Sequence, residues 1–488
     1  MKAAPRFLLA TVLIAFAATR VALYTGVDPI FDADTYKYLG AADSLWNGLG
    51  WPPVFAKMHD GGGALHALPG YTWFILAIWG AVGRPTLSGV VLAQAALSGL
   101  ALLAILDFVR RRYSFAAAAA VGLLLAASPS LAWIDQLLMP EAAGGAVYAL
   151  AICLAVRSVE RATFDERAAL LAAICGALMG FGVLLRATAQ VFVPFPPLVA
   201  LMGLRAKRPA AAWIGVYSVT FVLSLLPWMA HNHQLHGHWT LTASTGRNLY
   251  FSGVWSDTID RRAALDGLGS VRDADVDSSY FILDEQFQKF LDSGLDIRQA
   301  DAAMARLALQ EYRKAGLARY IEGRAAILAG LFQEEAFGRG NMTLAGRLSW
   351  YLNNATAGDP MRFMMEERWN YRLSPAVVAL MREGREQHAG PHSWFRWWVD
   401  WLRFDDLSLA LAFLAASAVL LASARRHATA LLCWAAPVYA FLAMYTVLGA
   451  PLYRYQAALH GPMLVMIALA LWQAWQKLRA RGAWPAAE

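Results

Sequence analysis

Ten apolar stretches constrain this chain more than any other feature. They fall near 7–27, 86–108, 114–132, 141–157, 168–186, 189–204, 211–230, 406–424, 428–448 and 457–478. Most approach the ~20 residues that a helix needs to cross the ~30 Å hydrocarbon core of a bilayer. Uninterrupted apolar runs of that length read as helices, so the expected fold is an all-α polytopic membrane protein. Composition agrees. Of 488 residues, 58% are hydrophobic and 16% charged, and the mean hydropathy is +0.41. That profile excludes an ordinary soluble enzyme. Cys153, Cys175 and Cys433 all fall inside apolar stretches, so neither a disulfide framework nor a thiolate metal site is expected. The first stretch reads as an uncleaved anchor, because no small-residue cleavage site follows it and Arg20 interrupts its end.

The net charge of +7 comes from short Lys/Arg clusters between the apolar stretches. They report membrane orientation, and nucleic acid is not an expected partner. Lys2 and Arg6 precede the first stretch. Arg110–Arg112, Arg157 with Arg167, Lys207 with Arg208, Arg425 with Arg426, and Lys477 with Arg479 follow later ones. Ten crossings with cytoplasmic termini put every cluster inside, provided that 68–83 does not cross. Its apolar core is short, which suits a re-entrant or interfacial helix. Two long segments then face outside, 28–67 and 231–405. The organisation is thus an N-terminal transmembrane module (1–230) whose first outer loop (28–85) is the catalytic candidate. A mainly helical extracytoplasmic domain (231–405) and C-terminal transmembrane helices (406–488) follow. The outer domain shows helical periodicity at 299–333 and a Trp/Arg-rich interfacial stretch at 393–404.

Residues 31–50, FDADTYKYLGAADSLWNGLG, follow the first crossing. Asp34, Tyr38, Ala42 and Leu45 recur at helical spacing and share a face. Gly48 and Gly50 end the helix. Polar side chains near the outer ends of crossings cost free energy unless they have a task or a partner. Five groups qualify. They are Asp32 with Asp34, Glu141 close to Asp135, Arg186, the stretch 227–253, and Arg454. By the topology above, all five open on one side of one membrane. Carboxylates can take a proton from an acceptor hydroxyl, and arginines can hold a phosphate leaving group. No phosphate-cradling Gly loop or dinucleotide fingerprint is present, so a membrane-embedded donor fits better than a nucleotide. The run HNHQLHGH at 231–238 has four histidines, but its spacing is not i, i+4 and it holds no acid. A solvated interfacial loop is the plainer reading, with a divalent metal as the alternative.

In the order and spacing of these motifs the chain resembles the GT-C glycosyltransferases that use polyprenyl-phosphate sugars. That group includes protein O-mannosyltransferases, lipid A aminoarabinose transferases and the Rgt-like group. The resemblance rests on Asp34, Tyr38, Ala42, Leu45, Gly48 and Gly50 in the first loop, then Pro69-Gly70-Tyr71, then Ser128-Pro129 with Glu141. Arg186, Pro227-Trp228 with Asn232 and Gly237, Thr245-Gly246 with Asn248, and Arg454-Tyr455 complete it. The chain departs from the pattern where Ala33 separates Asp32 and Asp34, and where His231 stands in place of an Arg.

The resemblance implies a GT-C-like helical bundle with a helical extracytoplasmic domain. It implies transfer of a sugar, with inversion, from a polyprenyl-phosphate donor to a hydroxyl of a glycolipid, polysaccharide or protein. The site would face outward from a bacterial inner membrane and serve the cell envelope. Asp34 would be the base with Asp32 as its backup, and Glu141 would orient the acceptor or a basic group. Arg186 and Arg454 would hold the phosphate. Tyr38, Tyr71, Asn232, Asn248 and Tyr455 would line the substrate path. A secondary transporter, or an assembly protein without chemistry, is the alternative from another class.

Overall fold

The structure is a computed structural model that describes residues 3–26, 35–51, 68–160, 163–204, 206–260, 264, 278–332, 374, 376–377, 379–380, 406–449 and 453–480. Every regular element among them is helical. In chain order these are α1 (Ala3–Gly26), α2 (Thr35–Trp46), α3 (Gly70–Val82), α4 (Leu87–Arg112), α5 (Phe115–Ala127), α6 (Pro129–Gln136), α7 (Pro140–Val159) and α8 (Glu166–Leu185). A 3-10 turn (Ala187–Phe192) leads to α9 (Phe195–Gly203) and α10 (Lys207–His236). Then come α11 (Thr245–Trp255), α12 (Ser278–Asp292) and α13 (Ile297–Gly330). The chain returns through α14 (Asp406–Leu421), α15 (Ala424–Ala430), a π turn, α16 (Ala436–Leu448) and α17 (Tyr453–Ala480).

Local chemistry sets where these helices begin. Thr86, Ser114 and Asp165 sit in extended conformation before α4, α5 and α8, and each side chain accepts from the backbone N–H three residues on. Asp296 and Gln299 form a reciprocal capping box at the head of α13. Gly237 at φ 72° closes α10 in the left-handed region that glycine reaches without a Cβ clash.

Among the described residues six helices are long and apolar enough to cross a membrane, or seven if the bent pair α5 and α6 is one span. Of the ten expected crossings, that at 189–204 is a 3-10 turn followed by the short α9, and that at 406–424 is the 16-residue α14. The segment 68–83, expected not to cross, is the 13-residue α3. At 1.5 Å per residue that helix covers about 20 Å, too little for the hydrocarbon core. The segment 114–132 bends by 54° at Ser128-Pro129, where Pro129 cannot continue the hydrogen-bond ladder of α5. Helix α17 covers the last expected crossing but falls outside the six.

The central packing runs from α10 through α8 to α7 and on to α4, with α5 and α17 behind. The basic residues gather at one end. Arg111 pairs with Asp107 at 2.7 Å and with Glu160, Arg157 meets Asp107 at 3.2 Å, and the Tyr113 hydroxyl meets His427 Nδ1 at 3.0 Å. The helices α7 and α17 start at the opposite end, where α8, α10 and α16 finish. That end carries Glu141, Arg186 and Asn232.

Candidate functional site

The head of α7 and the tail of α8 form the centre of this end. Glu141 lies in the first turn of α7 behind Pro140, where the helix dipole favours a carboxylate. Its side chain is 1% exposed. Arg186 closes the C-terminus of α8 in extended conformation, and its backbone N–H donates to the Gly182 carbonyl. Its Nη1 donates to Glu141 Oε1. Two of the five expected groups therefore meet directly. A 20%-exposed guanidinium held by a buried carboxylate keeps a defined direction, and an incoming phosphate would find it already oriented.

Helices α2 and α3 roof this pair. Leu39 and Ala42 of α2 bury against Tyr71, Ile75 and Trp79 of α3 and against Val147 of α7. The buried residues of α2 are Thr35, Leu39, Ala41, Ala42 and Asp43, a wide arc that shares only Ala42 with the expected set of Tyr38, Ala42 and Leu45. Tyr38 sits half-buried at its edge, and its ring meets Tyr71 edge-on at 5.2 Å. Asp32 and Asp34 both lie outside the described residues, and so the expected base is not placed. Gly48 and Gly50 take positive φ after α2, as expected of a helix stop.

The Pro69-Gly70-Tyr71 motif has a steric reason. A Cβ at Gly70 would lie 2.5 Å from Leu184 C and Leu185 N. Only glycine lets the head of α3 touch the end of α8, one residue before Arg186. Gly70→Ala should push α3 off α8, lowering stability by about 1–3 kcal/mol and misplacing Tyr71 and Arg186 together. A thermal melt of the purified variant checks this, and an unshifted melt with normal activity would refute it.

Tyr71 is a wall and not an open contact. Its ring is fully buried, and its hydroxyl donates to Gln94 Oε1 at 2.5 Å. It is within electrostatic reach of Glu141 and Tyr38. Behind it runs a buried polar network. Gln94 Nε2 donates to the Asp135 and Leu137 carbonyls, both at 2.9 Å. Ser98 donates to Asp135 Oδ1 at 2.6 Å, and Arg20 Nε to Asp135 Oδ2 at 3.0 Å. Arg20 also reaches the Ala126 carbonyl at 2.9 Å, just before the bend after α5, where the Thr19 hydroxyl donates as well at 3.0 Å. The network fixes α6, the short helix that delivers the chain to Glu141. Gln94 and Ser98 went unread in the sequence, although two polar residues four apart in an apolar span are a visible signal. Asp43 also went unread. It is buried in α2 and accepts from the Ser374 backbone N–H at 2.6 Å and hydroxyl at 2.8 Å. This ties the stretch around Ser374 to the roof.

Beside Arg186 stands an aromatic cluster. Trp228 meets Trp51 at 5.3 Å and Trp73 at 6.4 Å, and stacks on His231 at 5.1 Å. Residues 231–236 are the last turns of α10 and not the expected loop. Asn232 is fully buried and donates to the Thr240 and Leu241 carbonyls at 2.7 and 3.2 Å. Its amide folds the chain back after Gly237, a structural task in place of the expected substrate contact. Asn248 is exposed on α11, and the structure does not bring it to the Glu141–Arg186 pair. Gly246 beside it is needed because a Cβ there would lie 1.8 Å from the Asp301 carbonyl oxygen. Arg454 and Tyr455 occupy the first turn of α17, and α17 packs along α5, α6 and α7. Their backbone is thus at the site end, and their side chains lie outside the description. Among the described residues no group of three or more His, Cys, Asp or Glu side chains is placed to hold a metal ion.

No family model and no curated protein matches the sequence. Among solved structures the chain is similar to the oligosaccharyltransferase of Archaeoglobus fulgidus in the apo form, at 15% identity and TM-score 0.49 over 98% of this chain and 51% of the other. It is also similar to the archaeal oligosaccharyltransferase AglB from Archaeoglobus fulgidus in complex with an inhibitory peptide and a dolichol-phosphate, at 14% identity and TM-score 0.48, over 98% and 51%. The complex of the Archaeoglobus fulgidus enzyme with Zn and sulfate gives 13% identity and TM-score 0.47, over 96% and 50%. The chain spans about half the length of these proteins.

Proposed function

We propose that this chain is an integral-membrane glycosyltransferase of the GT-C type. It would move a sugar from a polyprenyl-phosphate donor to an acceptor hydroxyl at the outer face of a bacterial inner membrane. The observation that carries the reading is the Glu141–Arg186 pair. It is a guanidinium aimed by a buried acid, at the membrane-edge end of an apolar bundle, under an amphipathic helix that follows the candidate acids. Such a pair suits a lipid-linked phosphate. The guanidinium offers forked donors to the phosphate oxygens, and the aromatic cluster beside it offers apolar surface to a prenyl chain.

In this reading Asp34 takes the proton of the acceptor hydroxyl. The freed oxygen attacks the anomeric carbon from the side opposite the phosphate. The carbon–phosphate oxygen bond breaks, its electron pair leaves with polyprenyl phosphate, and the sugar is inverted. Arg186 and Arg454 stabilise the charge that develops on the leaving phosphate. Glu141, expected to orient the acceptor or a basic group, takes the second role in this reading and holds Arg186. Tyr38 lines the sugar path.

The test is turnover by purified protein in bilayer discs, offered a panel of polyprenyl-phosphate sugars with membrane-extract acceptors. Polyprenyl phosphate should be released with one donor and only when acceptor is present. A transporter would leave the sugar on its lipid, and that result would overturn the reading. The orientation has its own check. A reporter that fluoresces only in the cytoplasm, fused after Gly269, should stay dark, because every Lys/Arg cluster then lies inside. A bright fusion would contradict an external site.

A further inference from the structure

We infer that Asp43 and Ser374 form a clamp through which the stretch 374–380 of the outer domain holds the roof helix α2 in place. Asp43 is thereby a positioning residue for the site that α2 covers. Helix α2 has 12 residues. An isolated helix of about that length is marginal in water, so its place is set by what it touches. Leu39 and Ala42 hold it by apolar packing on α3 and α7. Asp43 holds it by polar contact. This side chain is buried, and a buried carboxyl needs donors for its oxygens. Ser374 supplies two, its backbone N–H to Oδ2 at 2.6 Å and its hydroxyl to Oδ1 at 2.8 Å. Asn47 Nδ2 adds a third, to Oδ1 at 2.9 Å. The third is local, whereas the first two join residues 331 positions apart.

The partner stretch is arranged to present Ser374. Its hydroxyl also accepts from the Val377 N–H at 3.4 Å, three residues on, as a helix N-cap does. Residues 376, 377, 379 and 380 are helical. Val377 is fully buried in the same core cluster as Leu39, Ala42 and Tyr71, and Leu380 packs against that cluster. A polar tie and an apolar peg therefore fix this turn to the roof. The tie grips α2 towards its C-terminal end. Asp43 lies eight residues after Thr35, about 12 Å along a helix. Thr35, fully buried, opens α2, and Asp34 directly precedes it in the sequence. Tyr38 lies between, its ring against Tyr71 at 5.2 Å. A short helix moves as a rod, so slack at Asp43 shifts Tyr38 and the start of α2 with it. Glu141 and Arg186 stand on α7 and α8, so that pair keeps its geometry without the clamp. The role in catalysis rests on the glycosyltransferase reading, whereas the mechanical tie does not.

Hydrogen exchange of the full chain in bilayer discs tests the tie without any substrate. In Asp43→Asn and in Ser374→Ala the amides from Leu39 to Trp46 should exchange about tenfold faster than in the unmodified protein, the order expected for one lost hydrogen bond. Those of α3 should stay unchanged. Combining the two substitutions should add nothing to the larger single effect, because each removes the same contact. Equal exchange in all four proteins, or full additivity, would overturn the clamp. Turnover tests the positioning role. With the donor that the unmodified protein uses, Ser374→Ala should lower kcat by about tenfold to a hundredfold, the cost of a misplacement of about 1 Å. Binding of polyprenyl phosphate should be unchanged in the same variant. Ser374→Thr, which keeps the hydroxyl, should restore most of the rate. Faster exchange with an unchanged kcat would reduce the tie to a structural one and overturn the positioning role. An unmodified protein that transfers no sugar would overturn the glycosyltransferase reading, and the exchange result would still decide the clamp.

Discussion

Arg186→Ala should lower the rate of sugar transfer by a factor on the order of 10², with the protein still folded and still in the membrane. Removing one preorganised donor from a charge-developing site costs roughly 3 kcal/mol of transition-state stabilisation, and Arg186 has the geometry of such a donor. It sits at the rim, 20% exposed, and its partner is buried. The substitution also leaves Glu141 buried without its cation. A carboxyl in that position can take up a proton, so the fold loses less than a fixed charge would cost. Arg186→Lys should recover part of the rate, since a single ammonium keeps the charge and loses the fork. Glu141→Gln should act through Arg186, weakening donor affinity more than the chemical step. Measuring kcat and KM separately for the four proteins checks both statements. An Ala variant with near-normal turnover would remove Arg186 from the site.

Asp34→Asn should lower transfer by about 10²–10⁴, the range for loss of a general base, while Asp32→Asn should be milder. The amide keeps the size and hydrogen-bonding reach of the carboxylate and cannot accept a proton from the acceptor. The choice rests on sequence spacing, because Asp34 and Asp32 lie outside the described residues. Tyr38 stands at the rim of the buried face beside Tyr71, and a residue four positions earlier shares its direction. Asp32 would point about 200° away if the helical turn reached it. Normal turnover in Asp34→Asn with a dead Asp32→Asn would move the base. Activity in both would restrict the first loop to binding.

The parts of this architecture that were legible in the sequence are those governed by local rules. Apolar length identified the membrane helices, and the shortness of 68–83 separated α3 from them. Gly48 and Gly50 marked the end of α2 through the left-handed region. The Arg and Glu that meet in the site stood out because a charge at the edge of an apolar run needs a partner. What stayed hidden depends on distant packing. Whether Asn232 faces a substrate or its own chain is decided by the return of Thr240 and Leu241, which no spacing encodes. Tyr71 reads as a contact residue until Gln94 is seen to hold its hydroxyl. The expected crossing at 189–204 has the composition of a span, yet Pro194, Pro196 and Pro197 shorten its helix by removing backbone donors. The run at 231–238 looked like a loop because of its histidines, while helix α10 simply continues through it to Gly237.

The most direct test of the account does not depend on which sugar is moved, because polyprenyl phosphate is common to every donor in its class. Binding of polyprenyl phosphate to the purified protein in bilayer discs should be saturable. Arg186→Ala should weaken it about tenfold to a hundredfold, as expected for charge-assisted hydrogen bonds worth about 1.5–3 kcal/mol. Absence of saturable binding to the unmodified protein, or binding that is the same in Arg186→Ala, would contradict a phosphate site at the head of α7 and the tail of α8.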